Sequence, residues 1–313
     1  MGRHDSLLTG AVRAIKGSGG SFKTRHNHLR EAQRFVSTLR KTGYGVQQWS
    51  NLTNKHVGAV VDHWRDEGLK VATIKEYLSG VRSIARHFGN ERIAPSNSAF
   101  KLENRVYISN TDKSMSGEHY ARVVDALKAS PNTDAHRVAA QLMLARQLGL
   151  RKEEAFKFNP DRAVLKDGRV YVSDGTKGGR DRILQQITSE GRAAIEYARS
   201  VASGKNTMPV GMTEKQWAGK FYRTLRYYGI TKDQTGASAH GLRHAWAQER
   251  YQAITGFAPP VKFESGEDYR AEAARIAGQS WRQLDRDARL LIKSEMGHGS
   301  DRDDVVSQYL GSI

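Results

Sequence analysis

The sequence predicts a mainly α-helical fold with a small antiparallel β-sheet, divided between an N-terminal helical bundle and a larger mixed α/β domain. Three observations carry that reading. Apolar residues recur at three- and four-residue spacing over most of the chain, as amphipathic helices require. Between residues 163 and 187 that period gives way to short β-like runs separated by Asp167-Gly168 and Asp174-Gly175. Residues 93–113 are polar, contain Pro95 and lack a period, which reads as a linker between two domains.

At 313 residues the chain is long enough for two domains of about 100–200 residues each. Its 38% hydrophobic and 27% charged content, with only 6 prolines, is that of a globular protein with a real core. The 50 Lys+Arg against 33 Asp+Glu give a formal charge of +17, which favours a polyanionic partner: DNA, RNA or an anionic membrane. No apolar run approaches the ~20 residues that span a bilayer, and Met1-Gly-Arg-His-Asp5 leads into no signal-peptide core. A soluble intracellular protein is therefore expected. The absence of Cys excludes disulfides, thiolate nucleophiles and Cys-based zinc sites.

Taken in order, residues 1–20 hold a short amphipathic helix (Leu7, Leu8, Val12, Ile15) and end in Gly17-Ser-Gly-Gly20, which reads as a hinge or arm. A bundle over 21–92 follows. Leu29, Ala32, Val36 and Leu39 form one helical stripe; Val57, Val60, Val61 and Trp64 form a second, with Thr53 as its cap; Ile74, Leu78, Val81 and Ala85 form a third. On the third helix Lys75, Arg82 and Arg86 fall on another face and are expected to meet DNA. A merely solvated surface would also account for them. Metal-ligand spacing is absent among the histidines of this part.

After the linker, residues 114–313 open with helices over 116–130 and 135–148, then Gly149-Leu-Arg-Lys-Glu-Glu154. Short strands are expected at 163–165, 169–172 and 183–187, with Thr176-Lys-Gly-Gly-Arg180 in a turn that puts Lys177 at its tip; Arg180 and Arg182 flank it as further DNA contacts. Helices are expected again over 190–202 and 214–228. The aromatics of the second, Trp217, Phe221, Tyr222, Tyr227 and Tyr228, read as core more than as base-stacking platforms. Residues 259–268 are irregular and the following stretch is helical.

His240-Gly-Leu-Arg-His244 is the densest chemistry in the chain. On a helix, His240, Arg243 and His244 share one side and can touch a single anion. Alone it is equally a solvated basic turn. With Arg151, Lys177, His298 and Tyr309 added, the set supplies every role that phosphodiester exchange needs. Two guanidiniums grip non-bridging oxygens and stay charged as negative charge builds. A tyrosine phenol ordinarily ionises near pH ~10, so a nucleophilic one needs cations and a base nearby; His240 is the candidate base. A lysine on an exposed turn can protonate a leaving oxygen, which suits Lys177. Glu154 and His244 are supporting residues, and no metal site is expected.

These boxes resemble the tyrosine recombinases, the phage-integrase family. Gly149-Leu-Arg-Lys-Glu-Glu154, Thr176-Lys-Gly-Gly, His240-Gly-Leu-Arg-His244, Met296-Gly-His298 and Gln308-Tyr309 match the family's motifs in the right order. The resemblance implies a helical, SAM-like core-binding domain joined to a recombinase catalytic domain, the two forming a C-shaped clamp on DNA. It further implies a 3′-phosphotyrosyl intermediate at Tyr309, recombination through a Holliday junction on a homo-tetramer, double-stranded DNA with specific sites as partner, and no cofactor. Integration or excision of a mobile element in a bacterial cytoplasm, with accessory DNA-bending proteins, fits that picture.

Three features depart from the family's pattern. His298 and Tyr309 stand eleven residues apart, so the 299–304 loop must be enlarged. Arg243 and His298 are also unusually distant, which marks 258–278 as an insertion. Only Leu310-Gly-Ser-Ile313 follows Tyr309, so coupling between protomers is expected to use other surfaces, the insertion among them. Two alternatives stand beside the recombinase: DNA relaxation of the type IB topoisomerase kind, and a non-catalytic DNA-binding or architectural protein on the same fold.

Overall fold

The computed structural model describes residues 6–104, 108, 110–299 and 303–312. It forms two compact units, Met1–Val106 and Tyr107–Ile313.

In the first unit, four helices enclose one core: α1 (Ser6–Gly17), α2 (Phe22–Lys41), α3 (Asn54–Asp66) and α4 (Val71–His87). The stripes read from the sequence face inward, with Phe35, Leu39, Trp64, Ile74, Leu78 and Val81 buried. Ser21 caps α2 by accepting from the Thr24 amide. The expected arm is a correction to make: α1 is an integral wall of the bundle. Leu7, Ala11 and Ala14 are buried, and the Trp49 indole donates to the Leu7 carbonyl at 2.7 Å.

The stretch after α4 is also held by this unit, and here a second expectation changes. Arg82 does not reach outward to DNA. It is 9% exposed and spends its guanidinium on the Ala94 carbonyl (2.9 Å), the Asn97 side chain (2.8 Å) and the Ser96 carbonyl (3.0 Å), pinning the chain that leaves α4. Phe100 and Leu102 then join the core. One acid is buried inside the bundle among the described residues. Glu31 of α2, 5% exposed, lies against Gly80 of α4, where a Cβ would come within 2.0 Å of its Oε2. That oxygen has no hydrogen-bond partner among the described residues. Burial, seconded by Glu76 and opposed by Arg30, pushes the carboxyl up to about 7.

The second unit is built around α6 (Thr133–Gln147), preceded by α5 (Gly117–Lys128) and followed by α7 (Lys152–Lys157) and α8 (Pro160–Ala163). Ser116 and Asn132 cap α5 and α6. Strands β1 (Val170–Val172) and β2 (Arg182–Leu184) pair antiparallel, with Tyr171 opposite Ile183. The sheet is smaller than the sequence suggests. Residues 160–163 coil into α8, leaving only an isolated Val164–Val170 bridge, and β2 ends where the Gln185 amide turns to the Glu295 carboxylate at 3.2 Å.

The remaining helices are α9 (Ser189–Val201), α10 (Glu214–Tyr227), α11 (Lys232–Thr235), α12 (Gly241–Thr255), α13 (Gly266–Ala277), α14 (Trp281–Glu295) and α15 (Asp303–Leu310). Trp217 and Phe221 of α10 are core, as their spacing implies, but Tyr222 and Tyr227 are 52% and 84% exposed. The 258–278 segment is ordered as a short 3-10 turn, Pro260–Lys262, followed by α13, whose Tyr269 and Ala273 are buried. No described helix is long and apolar enough to cross a membrane.

Candidate active site

Helix α12 is buried nearly all round, and that burial fixes the site. Arg243, on its first turn, is 1% exposed. Its guanidinium donates to the Gly149 carbonyl and, at 2.6 Å, to the Met296 carbonyl. One side chain thus clasps the loop that leads to Arg151 and the loop that leads to His298. Gly149 makes this approach possible: its φ is +61°, and a Cβ there would lie 2.4 Å from the Trp246 ring.

Glu154 is the counter-charge. Fully buried, it accepts two bonds from Arg182 (2.8 and 2.7 Å), one from the Arg151 guanidinium (2.7 Å) and one from the Arg151 amide (2.6 Å), and lies 3.9 Å from Arg243. Burial alone would raise its pKa, but Arg182, Arg243 and Arg151 outweigh it and hold the carboxyl at about 2. Arg243 itself is lowered to about 10 by burial and by its neighbours Arg151 and Arg182, while Tyr309 and Glu154 act the other way. It remains charged at neutral pH.

The imidazoles and the phenol meet at the N-terminus of α12. The Tyr309 hydroxyl is 3.3 Å from His240 Nε2, and its ring lies 5.9 Å from the Arg243 guanidinium. His244 packs on the same ring at 4.4 Å between centroids, with His298 on another side at 6.1 Å. His240 keeps an exposed edge while its inner side is crowded by protein. That crowding, with the charges of Arg243 and Arg151, lowers its pKa to about 4. Water at the exposed edge screens part of the effect, but the direction leaves a neutral ring at neutral pH. His244, 7% exposed, is lowered to about 3 chiefly by burial. It is a packed neighbour of the phenol.

Of the six residues expected to form the site, Arg151, His240, Arg243, His298 and Tyr309 come together. Lys177 stands exposed on the turn between β1 and β2 and makes no hydrogen bond or ion pair among the described residues. Of residues 299–304, expected as an enlarged loop, 300–302 lie outside the described residues and Asp303 already opens α15, which delivers Tyr309 to His240. Of the expected DNA contacts, Arg86 and Arg180 are exposed, and Lys75 is half-buried with its ammonium on the Glu103 carbonyl. Arg182 is a correction. Its side chain is 2% exposed and it also donates to the Glu295 carbonyl at 2.6 Å, so it serves the site from within. Sequence reading missed that role because alternation in β2 could not say which face meets Glu154. Among the described residues no cluster of three or more His, Asp or Glu side chains is placed to hold a metal ion.

Two guanidiniums and neutral imidazoles gathered on one phenol define a site suited to phosphate-ester chemistry. Comparison with known proteins gives the family. Residues 104–249 match the family model described as integrase, and residues 5–94 match that described as phage integrase, N-terminal. The chain belongs to the tyrosine recombinases of the phage-integrase family, which are site-specific DNA strand transferases. The fold resembles a lambda integrase dimer bound to a COC′ core site (TM-score 0.60, 16% identity, covering 97% of this chain and 76% of that one). It also resembles the XerH recombinase in a pre-cleavage complex with difH substrate (0.61, 12%, 98% and 92%). The Tn1549 transposon integrase in complex with transposon right end DNA is similar as well (0.62, 12%, 98% and 95%). At these identities the likeness concerns the fold. A comparison with curated protein sequences found no match.

Proposed function

We propose that this recombinase cuts and rejoins DNA strands at specific sites through a 3′-phosphotyrosyl intermediate at Tyr309, for integration or excision of a mobile element. The observation that carries the reading is the Tyr309 hydroxyl held 3.3 Å from His240 Nε2 beside the buried Arg243. Tyr309 Oη attacks the scissile phosphorus, so a P–Oη bond forms as the P–O5′ bond breaks. His240, neutral before substrate arrives, accepts the phenolic proton; the phosphate's negative charge offsets the two arginines and makes the ring more basic at that moment. Arg151 and Arg243 face the charge that builds on the non-bridging oxygens. Lys177, on its exposed turn, protonates O5′ once DNA brings that oxygen to it. The released 5′-hydroxyl of the partner strand reverses the chemistry, so phosphate bond energy is kept and no cofactor is drawn on.

By analogy with lambda integrase, whose structures include a tetramer bound to a Holliday junction, the working form is a homo-tetramer on double-stranded DNA. The exposed basic residues, Arg86 and Arg180 among them, supply backbone attraction, and the half-buried Lys75 adds to it. The test is a nicked suicide duplex carrying the recombination site. Wild type should become covalently joined to DNA and Tyr309→Phe should not; an adduct that survives the substitution, or none in wild type, refutes the proposal.

A further inference from the structure

Tyr309 sits one residue from the end of α15, a helix of only eight residues. So short a helix is marginal by itself, and its orientation has to come from contacts outside it. Several converge on its C-terminal end. The Gln248 amide donates to the Tyr309 carbonyl at 3.2 Å, and the Ser312 amide donates to Asn110 at 2.9 Å. Arg289 of α14 reaches both sides of Tyr309, donating to the Ser307 hydroxyl at 3.3 Å and to the Gly311 carbonyl at 3.1 Å.

Arg289 is itself gripped. Its Nε lies 2.9 and 3.0 Å from the two carboxylate oxygens of Asp285, one turn earlier on α14. The same carboxylate accepts from the Tyr251 hydroxyl of α12 at 2.6 Å and from the Tyr269 hydroxyl of α13 at 3.1 Å. Both tyrosines are fully buried, and burial together with the charge of Asp285 pushes both phenols up, so they stay protonated and donate. Tyr269 belongs to the 258–278 segment, expected from the sequence spacing to be an insertion. That segment also meets the end of α15 directly: Gly311, at φ +81°, lies so close to Val261 that a Cβ there would be 2.8 Å from its backbone nitrogen.

We propose that Arg289, locked by Asp285 and the two tyrosines, is the positioning residue that aims Tyr309, and that the 258–278 segment is the in-chain buttress of this lock. The proposal rests on Tyr309 being the nucleophile. It does not make Arg289 a contact of the phosphate: its guanidinium acts through α15. The phosphate-binding arginines are set independently, through Glu154 and the Gly149 and Met296 carbonyls, and so should survive its loss.

The experiment measures single-turnover adduct formation on the nicked duplex at saturating protein, with DNA affinity and thermal unfolding recorded alongside. Arg289→Ala should slow adduct formation ~10–100-fold, the scale set by misplacing a reacting group by about an ångström, with affinity unchanged. Arg289→Lys, which keeps one of the two contacts, should recover part of the rate. A small nucleophile separates aiming from general damage. Hydrogen peroxide, supplied in place of the phenol, should break the P–O5′ bond equally well in Tyr309→Phe and in Tyr309→Phe with Arg289→Ala. Wild-type adduct rates in Arg289→Ala, or loss of the peroxide reaction in the double variant, would overturn the proposal. If Arg289→Ala does not fold, Arg289→Lys and Ser307→Ala decide: slower adduct formation at unchanged affinity supports the proposal, and unchanged rates in both overturn it. Absence of any wild-type adduct would instead strike the Tyr309 reading.

Discussion

Each of the two units buries a glutamate, and the two are treated in opposite ways. Glu31 lies between α2 and α4 with one oxygen unpartnered, and its pKa is raised to about 7. Glu154 lies between α7 and the sheet with Arg151, Arg182 and Arg243 around it, and is lowered to about 2. The residue type is the same and both are buried, Glu154 the more deeply; the partners differ. An isolated carboxyl in a low-dielectric place prefers to be neutral, whereas one ringed by guanidiniums stays charged and becomes a scaffold for them. The first unit thus carries its buried acid as a cost, and the second uses its acid to hold the arginines of its site in place.

The strongest way to break this comparison is to remove the scaffold's charge. Glu154→Gln leaves Arg182 and Arg243 buried without their counter-ion, and should destabilise the second unit by about 3–5 kcal/mol. Denaturant unfolding followed by hydrogen exchange in that unit measures it; a loss below about 1 kcal/mol would mean that the three arginines do not depend on Glu154. Adduct formation should fall with it, because the amide keeps only one of the two oxygens that Arg151 donates to and pairs no charge with its guanidinium.

A smaller effect, of opposite sign, is expected at Glu31. Its folded-state pKa is raised from the ordinary 4.5 to about 7, so the folded state binds the proton more tightly than the unfolded one. Its stabilising contribution is complete below pH ~4.5 and is lost as pH rises through about 7. Glu31→Gln, neutral at every pH, should therefore stabilise the first unit by about 1–3 kcal/mol at pH 8 and change little at pH 4. The second unit has the reverse slope. His244 and Glu154 are both lowered, so their contributions are present above the ordinary values of 6.5 and 4.5 and are lost on acidification toward about 3 and about 2. Hydrogen exchange in the intact chain from pH 4 to 8 reads both units at once, and parallel slopes would contradict the contrast.

The smallest effects separate exposed cations from buried ones. Arg86→Ala and Arg180→Ala should each lower DNA affinity a few-fold and reduce the salt dependence of binding by about one counterion, and Lys75→Ala, whose ammonium is half-buried on the Glu103 carbonyl, should do so less. Arg82→Ala and Arg182→Ala should act through stability, since both side chains are spent on internal acceptors. A salt slope that falls in Arg82→Ala while its stability is unchanged would return that residue to the DNA surface.

Much of this protein was legible in one dimension. The apolar stripes placed α2, α3, α4, α6, α9 and α10 to within a few residues, because amphipathic periodicity is a local property. Four of the five boxes named the residues that meet around Tyr309, because each is a contiguous run whose residue types suit phosphate chemistry; the fifth put Lys177 on an exposed turn away from them. What the sequence left undetermined was the fate of each charge. Arg82 and Arg182 look like Arg86 and Arg180 in the chain, and only packing shows that the first two are buried on partners and the second two face water. The arm-like start became a core helix for the same reason: whether Leu7 and Ala11 are covered depends on Trp49, some forty residues away. Sequence alone determined which groups the protein owns and which helices carry them. The tertiary structure decided which of those groups are paired, because a buried charge takes its partner from a distant segment: Arg182 is 28 residues from Glu154 and 113 from the Glu295 carbonyl, and Asp285 accepts from the Tyr251 hydroxyl 34 residues away.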